Sequence, residues 1–142
     1  MKPINEVKIN LLSRSSNESF ARVAVASFIA QLDPTIEEIN DIKTAVSEAV
    51  TNCIVHAYRE EVGEITIEVK LCEGRLVCID IRDRGCGIEN VKQAREPLFT
   101  TDAAGERSGM GFTVMESFCD ELRVSSRKDR GTTVTLLKRL HK

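Results

Sequence analysis

The sequence has no long hydrophobic run, no surplus of basic residues and no paired cysteines. Nothing in its 142 residues approaches the roughly eighteen consecutive apolar positions of a membrane helix. The opening Met1-Lys2-Pro3-Ile4-Asn5-Glu6 lacks the apolar core of a secretory signal, so neither membrane nor export is expected. Lys and Arg number 20 against 22 Asp and Glu, a formal charge of −2, with no basic block. A protein that binds nucleic acid by neutralising phosphates usually carries a basic excess, so no direct nucleic-acid contact is expected. The five cysteines (Cys53, Cys72, Cys78, Cys86 and Cys119) are odd in number and contain no Cys-x-x-Cys pair. That is neither a disulfide framework nor a zinc signature, and reduced thiols in the cytoplasm are the expectation. Only three prolines interrupt the chain, and no repeat or low-complexity tract divides it. Its length suits one domain over residues 1–142, and 42% hydrophobic residues suffice for a core without metal or disulfide staples.

Hydrophobic spacing organises what is there. Val7 to Leu12 alternates as a short strand. Asn17-Glu18-Ser19-Phe20 predicts a helix start capped by Ser16 or Asn17, and the apolar stretch from Phe20 to Leu32 predicts a largely buried helix. Asp33-Pro34-Thr35 ends it and caps a second helix. That helix runs to about Tyr58, with Ile39, Ile42, Val46, Ala49 or Val50, Cys53 and Ala57 at helical spacing. Glu64 to Leu71 alternates cleanly, Glu73-Gly74 turns the chain, and Arg75 to Arg82 returns as a second strand. A glycine-rich segment from Asp83 to Gly111 has little periodicity except around Asn90 to Ala94. Phe112 to Phe118 predicts a short helix, and Leu122 to Ser126 with Thr132 to Leu137 a closing hairpin about Asp129-Arg130-Gly131. Helices then cover one face of a mixed or antiparallel sheet, an α+β two-layer sandwich, not the alternating order of a doubly wound fold.

The second helix carries Glu48, Asn52 and His56 four residues apart, on one face opposite the apolar stripe. A solvated helix back explains any one of them. Together they fit that reading less well, because Glu48 is the only charged residue between Lys43 and Arg59. The neighbours Thr44, Ala45, Ala49 and Thr51 are small, as if something must come close. An amide oxygen such as that of Asn52 suits a hard cation like Mg²⁺, and a carboxylate one turn away can take a proton from a hydroxyl or a water. One amide and one carboxylate are too few for a metal site of protein alone. Phosphate oxygens of a nucleotide are the natural completion.

Asp83-Arg84-Gly85-Cys86-Gly87 leaves a strand, either as a plain turn or as an acceptor for an exocyclic amine with glycines that let a flat base approach. Ser108-Gly109-Met110-Gly111 opens a predicted helix, where backbone N–H groups can converge on an anion. It is neither a P-loop nor a dinucleotide fingerprint. The preceding Leu98 to Arg107 is small and polar, suited to a lid. Gly131-Thr132-Thr133 reads by itself as an ordinary hairpin exit.

These four elements in this order resemble the Bergerat-fold (GHKL) ATPases: Glu48-x-x-x-Asn52 the N-box, Asp83-x-Gly85-x-Gly87 and Gly109-x-Gly111 the glycine boxes, Gly131-Thr132-Thr133 the closing motif. Asn17 to Arg22, Gln31 to Thr35, Ser47 to Asn52, Pro97 to Thr101 and Glu106 to Phe112 narrow the resemblance to the sporulation anti-sigma factors. It covers nearly the whole chain. The resemblance implies a dimeric serine protein kinase that holds a sigma factor of the sigma F type in an ATP-dependent complex and phosphorylates an anti-anti-sigma partner. It implies ATP or ADP and Mg²⁺ as cofactors, Glu48 as base, Asn52 as metal ligand and Asp83 as adenine contact. His56, Gly85, Gly87, Thr100, Thr101, Arg107, Ser108, Gly109, Met110, Gly111 and Thr132 then surround the nucleotide, and Glu18 and Arg22 meet the sigma factor. The sequence departs from the family at Cys86, where an aliphatic residue is common, and at Ala57, where glycine is frequent. Residues 59–64 are one residue short at the hairpin entry.

Other readings remain open at this point. A binding module gated by nucleotide would not require a base at Glu48. A nucleotidase or topology ATPase would use Glu48 on water, but no transducer domain follows. Histidine-kinase catalytic domains usually have an amide or imidazole at that position. A related kinase acting on another sigma factor also fits.

Overall fold

A computed structural model describes residues 2–58, 61–88, 90–95 and 111–141. Among the described residues, five strands form one sheet in the order β1-β2-β3-β5-β4: β1 (Pro3–Leu12), β2 (Glu64–Cys72), β3 (Leu76–Asp83), β4 (Glu121–Arg127) and β5 (Gly131–Arg139). Of the two sheet types the sequence allowed, the structure has the antiparallel one, since every observed pairing is antiparallel. Tight turns at Glu73-Gly74 and Asp129-Arg130 join neighbouring strands, and such turns reverse the chain. The period-two pattern is obeyed on both faces. Ile65, Ile67, Val69, Leu71, Val77, Ile79 and Ile81 are buried on one face. The other carries Glu68 ion-paired to Lys70 at 3.4 Å and to Arg82 at 3.5 Å, and Thr135 donates to Asp80 at 2.6 Å.

Three helices lie on the apolar face among the described residues, α1 (Ser16–Ile29), α2 (Ile36–Asn52) and α4 (Gly111–Ser117); a single turn, α3 (Val91–Ala94), buries no residue and lies beside β4. A 3₁₀ turn, Ala30–Leu32, follows α1. Helix α1 differs from expectation in two respects. Its N-cap is Ser15, which makes no side-chain cap bond; Ser16 and Asn17 are already helical, and the Asn17 amide instead donates to the Leu12 carbonyl at 2.9 Å. Nor is it largely buried: Ala21, Val25 and Ile29 form one inward stripe, while Phe20 and Val23 are 58% and 55% exposed. The apolar composition is real, but a helix at the margin of the sandwich has only one neighbour-facing side.

Helix α2 lies at the centre, with Ile42, Ala45, Val46, Ala49 and Val50 buried against the sheet and the flanking helices. Asp33, at φ 51°, and Pro34 separate it from α1. Its start is a capping box: the Thr35 hydroxyl accepts from the Glu38 N–H at 3.1 Å and Glu38 Oε1 accepts from the Thr35 N–H at 2.8 Å. Glu38 Oε2 also accepts the His141 N–H at 2.6 Å, so one buried carboxylate starts α2 and ties down the chain beyond β5. At its far end α2 passes into a π turn, Cys53–Ala57. A wider turn of this kind shifts the phase of a helix, so the in-line stacking of side chains expected through His56 holds only as far as Asn52.

Burial alone would raise the Glu38 pKa, but the hydrogen bonds from His141 and Thr35 outweigh it and hold the carboxyl below the ordinary glutamate range. A lowered carboxylate stabilises the fold above its unfolded pKa and ceases to do so as pH falls through the folded value. Glu38→Gln leaves one N–H facing a donor and should cost about 1–2 kcal/mol at neutral pH. Urea titrations at pH 7 and in the acid range test this: the gap between wild type and variant should shrink as pH falls. A gap that stays constant would contradict the charge-dependent clasp.

Candidate functional site

The end of α2, the exit of β3, the start of α4 and the β4–β5 turn meet at one corner of the sandwich. Tyr58, the only tyrosine of the chain, is buried there. Its hydroxyl donates to the Glu64 carbonyl at 2.6 Å and accepts the Arg84 N–H at 2.7 Å. The Ala57 carbonyl, freed by the end of the π turn, accepts the Cys86 N–H at 3.0 Å. Gly85 lies so close beneath that carbonyl that the Ala57 backbone occupies the space a Cβ would need. From the other side the Cys86 carbonyl accepts the Asp129 N–H at 2.6 Å, and the Ser126 hydroxyl accepts the Ile88 N–H at 2.7 Å. The turn from 83 to 88 is thus clamped between a helix end and a hairpin.

Asp83 ends β3 and is 8% exposed. Its Oδ1 accepts the Gly85 N–H at 2.9 Å and its Oδ2 the Cys53 thiol at 3.5 Å. Burial pushes its carboxyl pKa up, and hydrogen bonds from Gly85, Cys53 and the Thr132 backbone pull against that. Burial and the nearby Asp83 carboxyl push the Cys53 thiol far up, so Cys53 stays a protonated donor. Each carboxylate oxygen accepts more than one hydrogen bond, which leaves Asp83 capacity for a further donor. Thr132 pairs with Asp83 across the sheet, and its hydroxyl lies 2.7 Å from that of Ser126. Gly87 contributes a positive φ of 72° to the turn.

Asn52 is the last residue of α2 and faces the start of α4, where a Cβ on Gly111 would lie 3.1 Å from both its amide atoms. The helix end therefore brings Asn52 to the second glycine motif and, through Cys53, meets Asp83 of the first. Glu48, one turn earlier, is half-buried and lines a groove of about 350 Å³ between α1 and α2. Of its small neighbours, Ala45 and Ala49 are buried in the core, where their size admits helix packing, and only Thr44 shares the groove. His56 lies in the π turn, half-buried, and its carbonyl accepts the Cys86 thiol at 3.2 Å. Thr100, Thr101, Arg107, Ser108, Gly109 and Met110 lie outside the described residues, as does the expected lid.

Glu18 and Arg22 are not in this corner. They form an i,i+4 ion pair at 3.5 Å on α1 and are half-buried, Arg22 at 36% side-chain exposure, and Arg22 lines the same groove as Glu48. The Ser47 hydroxyl donates to Glu18 Oε1 at 2.5 Å, which ties the pair to the residue preceding Glu48. Sequence reading missed four supports: Ser47, Cys53, Tyr58 and Ser126. Only Tyr58 left a signal, as the single tyrosine at a helix end. The others form contacts 29 or more residues away in sequence or, for Ser126, across a turn.

Residues 13–138 match the family model described as a histidine kinase-like ATPase domain. The chain is similar to the anti-sigma F factor of Clostridium perfringens, 54% identical over 96% of this chain and 98% of that one. It is 56% identical to the anti-sigma F factor of Thermoanaerobacter sp. strain X514, over 97% and 96% of the two chains. Among solved structures, the RsbU and RsbW domains of a Mycobacterium tuberculosis protein superpose at a TM-score of 0.72 and 24% identity, over 99% of this chain and 34% of that one. The histidine kinase domain of a blue-light activated kinase from Erythrobacter litoralis follows at 0.57 and 20%, over 87% and 60%. Both structures share the fold. Among the described residues, no helix is long and apolar enough to cross a membrane.

Gly131 has φ 100°, and the Asp83 carbonyl lies where its Cβ would go. Gly131→Ala should therefore lose about 2 kcal/mol or more, from backbone strain and forced displacement of the β3 exit. Chemical denaturation measures it; a loss below about 0.5 kcal/mol, the scale of an ordinary surface change, would show that the turn is not fixed by this contact.

Proposed function

The chain belongs to the anti-sigma F factors within the histidine kinase-like ATPase domain family, and from that membership we propose an ATP-dependent serine protein kinase that also restrains a sigma factor. In this reading residues 1–142 form one unit that works in the cytoplasm as a homodimer, without direct contact to nucleic acid or membrane. It binds a sporulation sigma factor of the sigma F type and phosphorylates an anti-anti-sigma protein on serine. The observation that carries the reading is a carboxylate and an amide one helical turn apart, with the amide against Gly111 and the carboxylate lining the groove between α1 and α2.

The absence of a side chain at Gly111 leaves the Asn52 amide room for a ligand on that side, and an amide oxygen suits Mg²⁺; the residues fit the group. Bound Mg-ATP supplies the phosphoryl group and the cation that offsets its charge. Asn52 holds the cation. Asp83 accepts a hydrogen bond from the exocyclic amine of adenine, and Gly85 and Gly87 let the base lie close. His56, Thr100, Thr101, Arg107, Ser108, Gly109, Met110, Gly111 and Thr132 complete the nucleotide contacts. Glu48 takes the proton from the serine Oγ of the acceptor protein as that oxygen gains the phosphoryl group and ADP departs. The protein's share is positioning, which a domain of this size can supply. Glu18 and Arg22 meet the sigma factor as a pair already held in place by Ser47.

Purified protein, Mg-ATP and an anti-anti-sigma protein, followed by mass spectrometry for phosphoserine, test the reading directly. Glu48→Gln keeps shape and hydrogen bonding but removes the base. Mg-ATP affinity should stay within about tenfold, roughly 1.4 kcal/mol, while phosphorylation falls by about 10²-fold or more. Unchanged phosphorylation would move the base elsewhere.

Arg22→Ala should weaken sigma binding by about 2 kcal/mol, because arginine is enriched among residues that dominate interfaces. The melting temperature should barely move, since a single i,i+4 ion pair contributes only a few tenths of a kcal/mol. Pull-downs of the sigma factor with Mg-ADP and Mg-ATP decide it, and wild-type retention would leave Arg22 as a merely intrahelical partner of Glu18.

A further inference from the structure

Three lysines among the described residues are half-buried: Lys43, Lys70 and Lys138. Lys70 pairs with Glu68 at 3.4 Å. Lys138 pairs with Asp41 at 3.5 Å and donates to the Phe118 carbonyl at 3.2 Å. Lys43 has no carboxylate within 4.0 Å among the described residues, and it faces the α1–α2 groove together with Asn40, Thr44, Ser47 and Glu48 on α2 and Arg22 on α1. Arg22 already shares its charge with Glu18. A lysine that lines a groove with no anion beside it keeps its charge for an incoming carboxylate. Glu48 lines the same groove five residues further along α2, about 7.5 Å of helix rise from Lys43.

We propose that the α1–α2 groove is the docking channel for the protein that receives the phosphate, and that Lys43 reads a carboxylate on it. The proposal rests on the kinase reading above. A serine hydroxyl within hydrogen-bond reach of Glu48 and a carboxylate at Lys43 are then separated both along α2, by about 7.5 Å of rise, and across the groove, since five residues turn a helix by about 140°. The acceptor protein therefore carries an Asp or Glu on the surface that surrounds its phosphorylated serine and enters the groove. Lys43 takes no part in holding nucleotide, so its contribution belongs to recognition of the acceptor and not to the chemical step.

The experiment is steady-state phosphorylation of a purified anti-anti-sigma protein by wild type, Lys43→Ala, Lys43→Arg and Lys43→Glu. For Lys43→Ala the KM for the acceptor should rise about fivefold or more with kcat within about twofold, as expected for a lost charge contact at an interface. Lys43→Arg should restore KM to within about twofold, and Lys43→Glu should raise it further. Raising salt from about 50 to 300 mM should raise the wild-type KM far more than that of Lys43→Ala. ADP affinity should be the same in all four proteins. Neutralising the acidic residues of the acceptor one at a time should raise the wild-type KM at one of them and leave that of Lys43→Ala unmoved. An acceptor KM unchanged in Lys43→Ala, a loss in kcat alone, or an effect confined to sigma-factor binding would each overturn the proposal. Absence of phosphoserine with the wild-type protein would instead reject the kinase reading, and the docking channel with it.

Discussion

The seating of the α2 end on the turn after β3 is the contact on which the rest of the site depends. A helix leaves its last carbonyls unsatisfied, and a turn leaves N–H groups exposed. Here each supplies what the other lacks, through the Ala57 carbonyl and the Cys86 N–H, with the Tyr58 hydroxyl completing the same seam at Arg84. The bond forms because Gly85 has no side chain to hold the two backbones apart. The π turn, which costs helical regularity, is what carries α2 into that position. Without this seam Asn52, Asp83 and Gly111 would belong to three unrelated segments.

Rigidity is distributed unevenly around that seam. Asp83 is held by Gly85, by Cys53 and by its ladder partner Thr132, and the 83–88 turn is gripped again from the β4–β5 hairpin. The 83–88 half of the corner is therefore built before any ligand arrives, which limits the ordering entropy that binding there would otherwise have to offset. Helix α1 is attached differently. It has a narrow buried stripe and a polar tie from Ser47 to Glu18, and it leaves Phe20 and Val23 exposed. An element held by one stripe and a few polar ties suits a surface where partner proteins exchange. Its tie reaches the residue beside Glu48, so in the proposed reading docking and chemistry share a short stretch of α2.

The nearness of Arg22, Lys43 and Glu48 in one groove gives a physical basis for combining two activities in a small domain. In the proposed reading the Glu48 carboxylate must be reachable by a protein hydroxyl, which requires an open approach. The same opening exposes the cationic side chains that a protein partner can grip. A nucleotidase would gain from closing that approach to everything except water.

Much of this was legible in the order of residues. Alternation in Glu64 to Leu71, the Thr35–Glu38 capping signal and the spacing of Ile42, Val46 and Val50 depend on neighbours within one turn or one strand, so local chemistry fixes them. The four motifs were likewise visible as residue types, and their order carried the family resemblance. Tertiary structure alone decided that α1 buries only a stripe, because burial depends on what lies alongside and not on composition. It alone decided that α2 ends in a π turn, since the preference comes from the seam with Cys86 and Tyr58 rather than from residues 53–57 themselves. And it alone joined Ser47 to Glu18, Cys53 to Asp83 and Lys43 to the groove of Glu48: these meetings span distant segments, and no local spacing encodes which side chains a folded sheet and three packed helices bring within a few ångströms.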